Sequence, residues 1–496
     1  MVLFVRIKGH FLRAEFKTVI IEKCSSLFQS SSKEIRIMEN IQMLLKQGAV
    51  GKPCAPVVAV GDKVQRGQLI ATPTGLGVNV HSSVSGEVIE ITDDRIIIKP
   101  DDEQPEDYVK IAKGSNLEMI KEAGVLGQGG AGFPTFIKIY DGKNDKPVLD
   151  HGYILVNASE CEPGLAHNIQ QIDEDPARLL RGIHYLMEIA GADKGIIAIK
   201  KKHRETILKL DALLKDDPAI ERHLLPDIYP MGEERAVVRE CLGIELEPDK
   251  LPSAANAVVI NSETVYSCVA AIEDQKPLID KNLTVRGMIK GGSEAHVFEN
   301  VPVGTSVQAL IDRAGGFDEM GYGEIIMGGA FTGKATTLDA PITKATGAIL
   351  VTRPFRDLKG AKVGILVCAC GGNLERMEDL VAKYNGTVGH VCYCKQAQEM
   401  PNGTRKCERP GNCPGQVKNN LEFKKAGCEY IIIGNCSDCS NTVMASGPKM
   451  GLKVMHMTDL AMMAVGHPLY RTLKVSKKVD QDLDVVDNVE DNETVQ

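Results

Sequence analysis

No apolar run in these 496 residues approaches the roughly 18 that a membrane-spanning helix needs; the best, EYIIIG and KVGILV, are only of strand length. Membrane insertion is therefore not expected. A basic excess is missing too. The 58 Lys and Arg stand against 66 Asp and Glu for a formal net charge of -8, and the basic residues never gather into a run that could track phosphates, so no nucleic-acid partner is expected. Nor does the start of the chain show the sustained apolar core and small-residue cleavage site of a signal peptide, which points to a cytoplasmic protein with reduced thiols.

What the sequence does have is cysteine. It carries 14, and nine of them fall between Cys368 and Cys439. Such density in a reducing compartment points to metal or redox chemistry and not to packing. The length implies two to four domains. Residues 1–37 are basic and aperiodic, unlike the acidic remainder, and read as a misassigned start or a disordered segment, with Met38 as the expected first residue. Residues from about 50 to 100 alternate short strands with glycine turns (APVVAVGDKVQRGQLIATP, then VNVHSSVSGEVIEITDDRIIIKP) and suggest a small β-sandwich. Ser115 and Glu118 form a capping box ahead of LEMIKEAG. YILVN, the helix DPARLLRGIHYLMEIAG with Asp175 as cap, and KGIIAIK form a βαβ unit, and AVVIN reads as a further strand running into a polar turn.

The stretch GQGGAGFPT opens with glycines at 127, 129 and 132, the spacing of a dinucleotide-binding fingerprint. Its context is wrong for one: a helix precedes it, Pro134 sits where the long helix should be continuing, and no acid ends a second strand about 20 residues on. The local physics stands regardless, because closely spaced glycines let backbone N–H groups converge on phosphate oxygens or lie flat against a ring.

GQGGAGFPT, NASECEPG (157–164) and NSET (261–264), in that order, resemble the flavin and NADH site of the NADH-binding subunit of respiratory complex I. The run from about 45 to 353 is closer still to the C subunit of the Rnf electron-transport complex. The resemblance implies an α/β multidomain chain. Its parts are a barrel-sandwich hybrid (38–111), a complex I flavoprotein-like α/β FMN core (112–282), a β-grasp module of the SLBB type (283–317) and a connecting segment (318–357). A Rossmann-like α/β cysteine-rich domain (358–470) and a disordered tail (471–496) follow. It implies FMN and NADH as cofactors, with Gly127, Gly129, Gly130, Gly132, Asn157, Glu160, Glu162, Asn261 and Glu263 binding them. Gln128 and Ser159 depart from the complex I pattern, which has arginine and aspartate there. No protein nucleophile or general base is needed, since the flavin carries the hydride chemistry.

The ferredoxin motifs of the Rnf protein, C-x2-C-x2-C-x3-C-P, are absent. In their place stand KVGILVCACGGN, TVGHVCYC, KCERPGNCPGQ and CEYIIIGNCSDC. Strand ends that precede helices share one edge of a parallel sheet, so the pairs Cys368/Cys370, Cys392/Cys394 and Cys436/Cys439 are expected there, with Cys407 and Cys413 on an adjoining loop and Cys428 at the opposite edge. If the strands persist through C-x-C, both thiols of a pair share a face. Soft thiolates favour an iron–sulfur cluster, with structural zinc or a thiol–disulfide relay as alternatives. The segment resembles the N-terminal cluster-binding domain of the heterodisulfide reductase A subunit. That resemblance implies a [4Fe-4S] cluster on Cys368, Cys370, Cys413 and Cys436, with Cys407 and Cys439 as substitutes and Cys392/Cys394 as a redox dithiol or part of a second site. The combination resembles the proline-reductase-associated electron-transfer proteins of amino-acid-fermenting anaerobes. It implies D-proline reductase as acceptor and NADH, directly or through a membrane Rnf complex, as donor. The alternatives are service to another thiol- or selenol-dependent reductase, or a non-catalytic docking module.

Overall fold

Two short antiparallel sheets open the fold, which is given by a computed structural model describing residues 39–434, 436–473 and 476–487. The expectation about residues 1–37 lies outside the described residues. One sheet joins Ile41–Leu44, Arg95–Pro100, Gly86–Ile91 and Lys63–Val64, and the other joins Cys54–Pro56, Leu69–Pro73 and Val80–His81. Alternation sends Ile41, Met43, Val88, Ile96 and Ile98 inward, all fully buried. Helix α1 (Asn116–Glu122) follows, and its capping box of Ser115 and Glu118 is complete.

The second layer is a four-stranded parallel sheet. Strand β1 (Gly152–Ala158) leads through helices α2 (His167–Glu174) and α3 (Pro176–Ala190) to β2 (Ala192–Lys200). Then come β3 (Ile220–Leu225), α4 (Glu234–Leu242), β4 (Ala257–Asn261) and α5 (Ser262–Glu273). The order across the sheet is β3-β2-β1-β4. Asp175 caps α3 at the N–H of Arg178, Pro176 occupies its first turn, and Gly191 ends it in the left-handed conformation. Leu179, Ile183 and Leu186 of α3 are wholly buried against the sheet, each worth about 1.5–3 kcal/mol of burial. Strand β4 does not run into a free turn. It passes directly into α5, because the Asn261 side chain caps the helix at the N–H of Glu263.

A mixed five-stranded sheet comes next, made of β5 (Asp280–Gly287), β6 (His296–Pro302), β7 (Ile325–Met327), β8 (Lys334–Thr336) and β9 (Ala348–Val351), with α6 (Val307–Arg313) packed on it. Central β5 pairs parallel with β9. The sheet therefore extends well past residue 317, and the segment expected to be a connection supplies three of its strands. Lys344, wholly buried, donates to the carbonyls of Asn79 and Gly124 and so ties this sheet's approach to the first layer and α1.

The last sheet is parallel and built from β10 (Lys362–Val367), α7 (Leu374–Lys383), β11 (Thr387–Tyr393), α8 (Val417–Lys425), β12 (Tyr430–Ile433), α9 (Ser437–Ser446) and β13 (Lys453–His456), in the order β11-β10-β12-β13. Residues 476–487, expected to belong to a disordered tail, instead line the free edge of β3. There the Gln481 amide pairs with both backbone groups of Leu224, and Lys201 and Arg204 bind Asp487 and Asp484. Unpaired edge backbone and neighbouring opposite charges supply the partners that composition alone does not reveal.

Candidate functional site

The glycine loop and the two polar turns meet at the carboxyl edge of the first parallel sheet. Asn157 and Asn261 end adjacent strands in direct register. The Asn157 amide donates to Gly232 O at 2.9 Å and accepts from Ser159 Oγ at 2.7 Å. Above them, Gln128 N donates to Thr264 Oγ1 at 2.9 Å, and Ser267 Oγ donates to Gln128 Oε1 at 2.8 Å. Gln128 thus fastens the loop to α5. Ala131 O accepts from Ala49 N at 2.9 Å, so the first layer clamps the loop's far side. Gly129 has φ +68°, and a Cβ there would meet Asn261 Nδ2 at 2.9 Å. Gly130 stands open, with nothing within 4 Å of the same position.

The expected acids do not all face this loop. Glu160, half-buried and in a left-handed backbone conformation at φ 39°, accepts from the N–H groups of Asn168 and Ile169 at 3.0 and 3.3 Å. Loss of solvent pushes its carboxyl up to about 7. Glu162 accepts from Phe331 N, Thr332 N and Thr332 Oγ1 at 2.8, 2.9 and 2.7 Å. Glu263 is buried in an ion pair with Lys281, itself 1% exposed, while His167 Nε2 lies 3.9 Å from the same carboxylate. Burial raises Glu263 and lowers Lys281, and each charge counters the shift of the other. Lys200, also buried, pairs with Asp227 at 2.9 Å. Sequence reasoning missed Lys281 and Lys200, because a charge inside a strand pattern carries no mark of its partner, and it missed His167, the first residue of α2.

Beside α5 lies a cavity of about 350 Å³ that Gln128, Glu263 and Asp280 help to line. Glu174, Asp274 and Glu299 line it as well. Arg178 and Lys276 also line it and pair with Asp274 and Asp280, and Glu263 pairs with Lys281, so much of this acidic charge is countered. Among the described residues the buried hydroxyls of Ser262, at the start of α5, and Thr135, after GFP, have no hydrogen-bond partner. Unmet buried donors beside an open glycine cradle and a helix N-terminus fit a phosphate-bearing flavin.

At the carboxyl edge of the second parallel sheet the thiols gather. Cys368 perturbs and is perturbed by Cys370, Cys394 and Cys439, Cys370 by Cys407 and Cys436, and Cys439 by Cys413, so these thiols stand beside one another. These contacts, Cys370 first, hold Cys368 well below the ordinary thiol range, and Cys439 draws Cys413 down to about 6. Seven soft donors that already polarise one another suit an iron–sulfur cluster. The pair Cys392/Cys394 is divided. Strand β11 ends at Tyr393, so Cys394 turns into the thiol group while Cys392 packs with Phe423 and Cys428 and donates to Glu422 at 3.4 Å. Ligand atoms of His390, Cys392 and Glu422 lie within 4.8 Å of one another.

The two edges abut. Tyr229 and Phe331 stack at 3.7 Å and 6° between ring planes, and Tyr470 meets Phe331 edge-on at 4.8 Å. This wall packs against Cys436 and Cys439 on one side and takes in Cys161 of the NASECEPG turn. Tyr229 and Ser437 exchange two hydrogen bonds, Tyr229 N to Ser437 Oγ at 3.0 Å and Ser437 N to Tyr229 O at 3.2 Å. Gly329 is required here, because a Cβ on it would meet the Glu162 carboxyl at 2.2 Å.

Residues 120–270 match the Nuo51 FMN-binding domain family, and residues 22–105 match the RnfC barrel sandwich hybrid domain. The C subunit of the proton-translocating ferredoxin:NAD(+) oxidoreductase complex of Clostridium ljungdahlii is 31% identical over 322 residues, covering 61% of this chain and 68% of its own. Its counterpart in the Na(+)-translocating complex of Acetobacterium woodii is 30% identical, covering 61% and 70%. The chain belongs to the RnfC family. Cobalamin reductase PduS of Salmonella typhimurium is 38% identical over 234 residues, 47% of this chain, and this RnfC-family chain spans about half (49%) of that relative. The two matched domains account for the barrel-sandwich layer and for the sheet that carries the glycine loop. Among the described residues no helix is long and apolar enough to cross a membrane.

Proposed function

We propose that this chain is an electron-transfer flavo-iron–sulfur protein that takes electrons from NADH, directly or through a membrane Rnf complex, and delivers them to D-proline reductase. The observation that carries the first part is the seam: the NASECEPG turn and the thiol group share the Tyr229–Phe331 wall. Gly127, Gly129, Gly130 and Gly132, with Asn157, Asn261 and the α5 N-terminus, would hold FMN. Bound there, a flavin accepts an electron pair as hydride from a nicotinamide and releases electrons singly. Glu160, Glu162 and Glu263 shape the surrounding turns, since their carboxylates are committed to backbone N–H groups or to Lys281. The cysteine domain, read as the heterodisulfide reductase A type, would hold a [4Fe-4S] cluster, and the β-grasp sheet is of the SLBB kind. D-proline reductase as acceptor rests on the sequence resemblance alone.

The 38% identity to a cobalamin reductase favours a second reading, in which the acceptor is a corrinoid. Anaerobic purification with FMN, iron and sulfide counted, followed by NADH, separates these readings. Bleaching of both chromophores, and reoxidation by D-proline reductase with proline, supports the proposal. Reoxidation by a corrinoid alone moves the acceptor, reduction only by a partner complex moves the donor, and a colourless protein leaves the docking module.

A further inference from the structure

We propose that His390, Cys392 and Glu422 form a site for one zinc-class divalent cation, which pins strand β11 to helix α8 apart from the thiol group. Their ligand atoms lie within 4.8 Å of one another. Cys392 Sγ is 3.4 Å from Glu422 Oε2, and His390 Nε2 is 3.9 Å from the same oxygen. Bonds of about 2.0–2.3 Å in a tetrahedral shell set neighbouring ligands about 3.3–3.8 Å apart. The sulfur–oxygen edge already fits, and a turn of the half-exposed imidazole closes the other two.

A local irregularity brings these side chains together. Strand β10 pairs with β11 as Val363 opposite Val388, but the next pair is Gly364 opposite His390, so Gly389 is an extra residue, a bulge. Val363 packs with Met377, Leu380 and Val381 of α7, whereas a Cβ on Gly364 would meet the Phe423 ring of α8 at 2.4 Å. Residues paired across a parallel sheet share a face, so the slip turns His390 and Cys392 toward α8. Without it they would stand opposite Ile365 and Val367, on the α7 face. The Phe423 ring meets the His390 ring edge-on at 6.1 Å between centroids, and Glu422, the residue before it, brings the carboxylate.

The donor set selects the cation. Thiolate, imidazole and carboxylate are all ordinary zinc ligands, whereas calcium and magnesium take oxygens. Three protein ligands leave a fourth position to water, and one thiolate with one carboxylate balances a doubly charged ion. The partners of the Glu422 carboxylate among the described residues are this thiol and this ring, so no lysine or arginine competes for it. On binding, the Cys392 thiol gives its proton to solvent, and its sulfur exchanges the hydrogen bond to Glu422 for the metal. Gln416, at the start of α8, has its Nε2 3.4 Å from Cys394 Sγ and 3.5 Å from Cys413 Sγ. A pin between β11 and α8 therefore steadies two elements that lead to the thiol group.

The test counts zinc on the reduced full chain after equilibrium dialysis against Zn²⁺ alone; zinc held by the thiol group is common to all proteins compared. His390→Ala and Glu422→Ala change side chains that are 42% and 40% exposed, which leaves the core intact. Each, like Cys392→Ser, is expected to hold about one zinc per chain fewer than the wild type. Equal zinc in the wild type, His390→Ala and Glu422→Ala overturns the site, and so does a loss confined to Cys392→Ser, which would assign that thiol to the other sulfurs. Zinc should also raise the urea midpoint of the wild type above that of His390→Ala, and with a chelator present the two midpoints should coincide. A difference that persists unchanged in the chelator makes the histidine's effect one of packing and overturns it as a ligand.

Discussion

The two parallel sheets present the same topological place, a carboxyl edge, with opposite chemistry. At the first, charges are buried and largely self-satisfied: Glu263 with Lys281, Lys200 with Asp227, and Glu160 on the N–H groups opening α2. At the second, thiols have mostly one another. Paired ions are worth keeping only where both members are present, whereas a thiol group reaches its full stability through a metal it does not itself contain. The first edge is thus a frame of paired ions beneath a glycine loop, and the second is a gathering of soft donors. What differs is the side-chain chemistry, not the scaffold.

The largest expected break in that comparison is at Lys281. Lys281→Met leaves Glu263 buried without its cation and should cost about 3–5 kcal/mol, read from urea unfolding. The double variant Lys281→Met/Glu263→Gln should recover most of that loss; failure to recover would mean that the pair is not what holds the edge. Gly129→Ala comes next. It places a side chain in the left-handed region and against Asn261, at about 1–2 kcal/mol. Its readout is FMN content per chain, expected to fall about tenfold while iron content stays.

Glu160 sharpens the comparison through pH. Its folded value of about 7 lies above the ordinary 4.5, so as pH rises the unfolded chain gives up this proton first. Its contribution therefore lowers stability progressively from about pH 4.5 to about pH 7 and is constant above that. For a half-buried carboxyl partly reached by solvent this amounts to about 2 kcal/mol. Glu160→Gln keeps an oxygen for Asn168 N and Ile169 N but cannot ionise. Between pH 5 and 7.5 the variant should gain about that much relative to the wild type in urea midpoints, and parallel profiles would place the titration elsewhere.

Much of the frame is legible in the sequence because it rests on local rules. Ser115 with Glu118, and Asp175 with Pro176 and Gly191, mark helix ends by their own side-chain chemistry. The convergence of Cys368 with Cys436 and Cys439 follows from parallel topology, since every strand end before a helix lies on one edge, and Cys413 joins them from an adjoining loop. What stayed illegible depends on distant partners or on a single strand end. Cys392 and Cys394 separate only because β11 stops at Tyr393. Gln481 reveals an edge-covering segment only beside Leu224. Glu160 and Glu162 were expected to hold a flavin, and nothing local shows that their oxygens are claimed by Asn168 and Phe331.

The smallest effect is expected at the seam, where the two edges meet. Glu162 gathers three donors from Phe331 and Thr332, and those bonds fix the ring that stacks on Tyr229. Glu162→Gln keeps the shape but replaces one carboxylate oxygen by an NH₂ that faces a donor, weakening one or two charge-assisted bonds at about 1–2 kcal/mol. FMN and iron contents should match the wild type, because the Glu162 carboxylate is engaged by Phe331 and Thr332 and is not among the groups proposed to hold either cofactor. If the wall couples the edges, iron reduction after flavin reduction slows in rapid-mixing experiments while flavin reduction by NADH does not. Equal slowing of both steps would place the defect at the flavin, and no slowing would mean that the shared wall is packing alone.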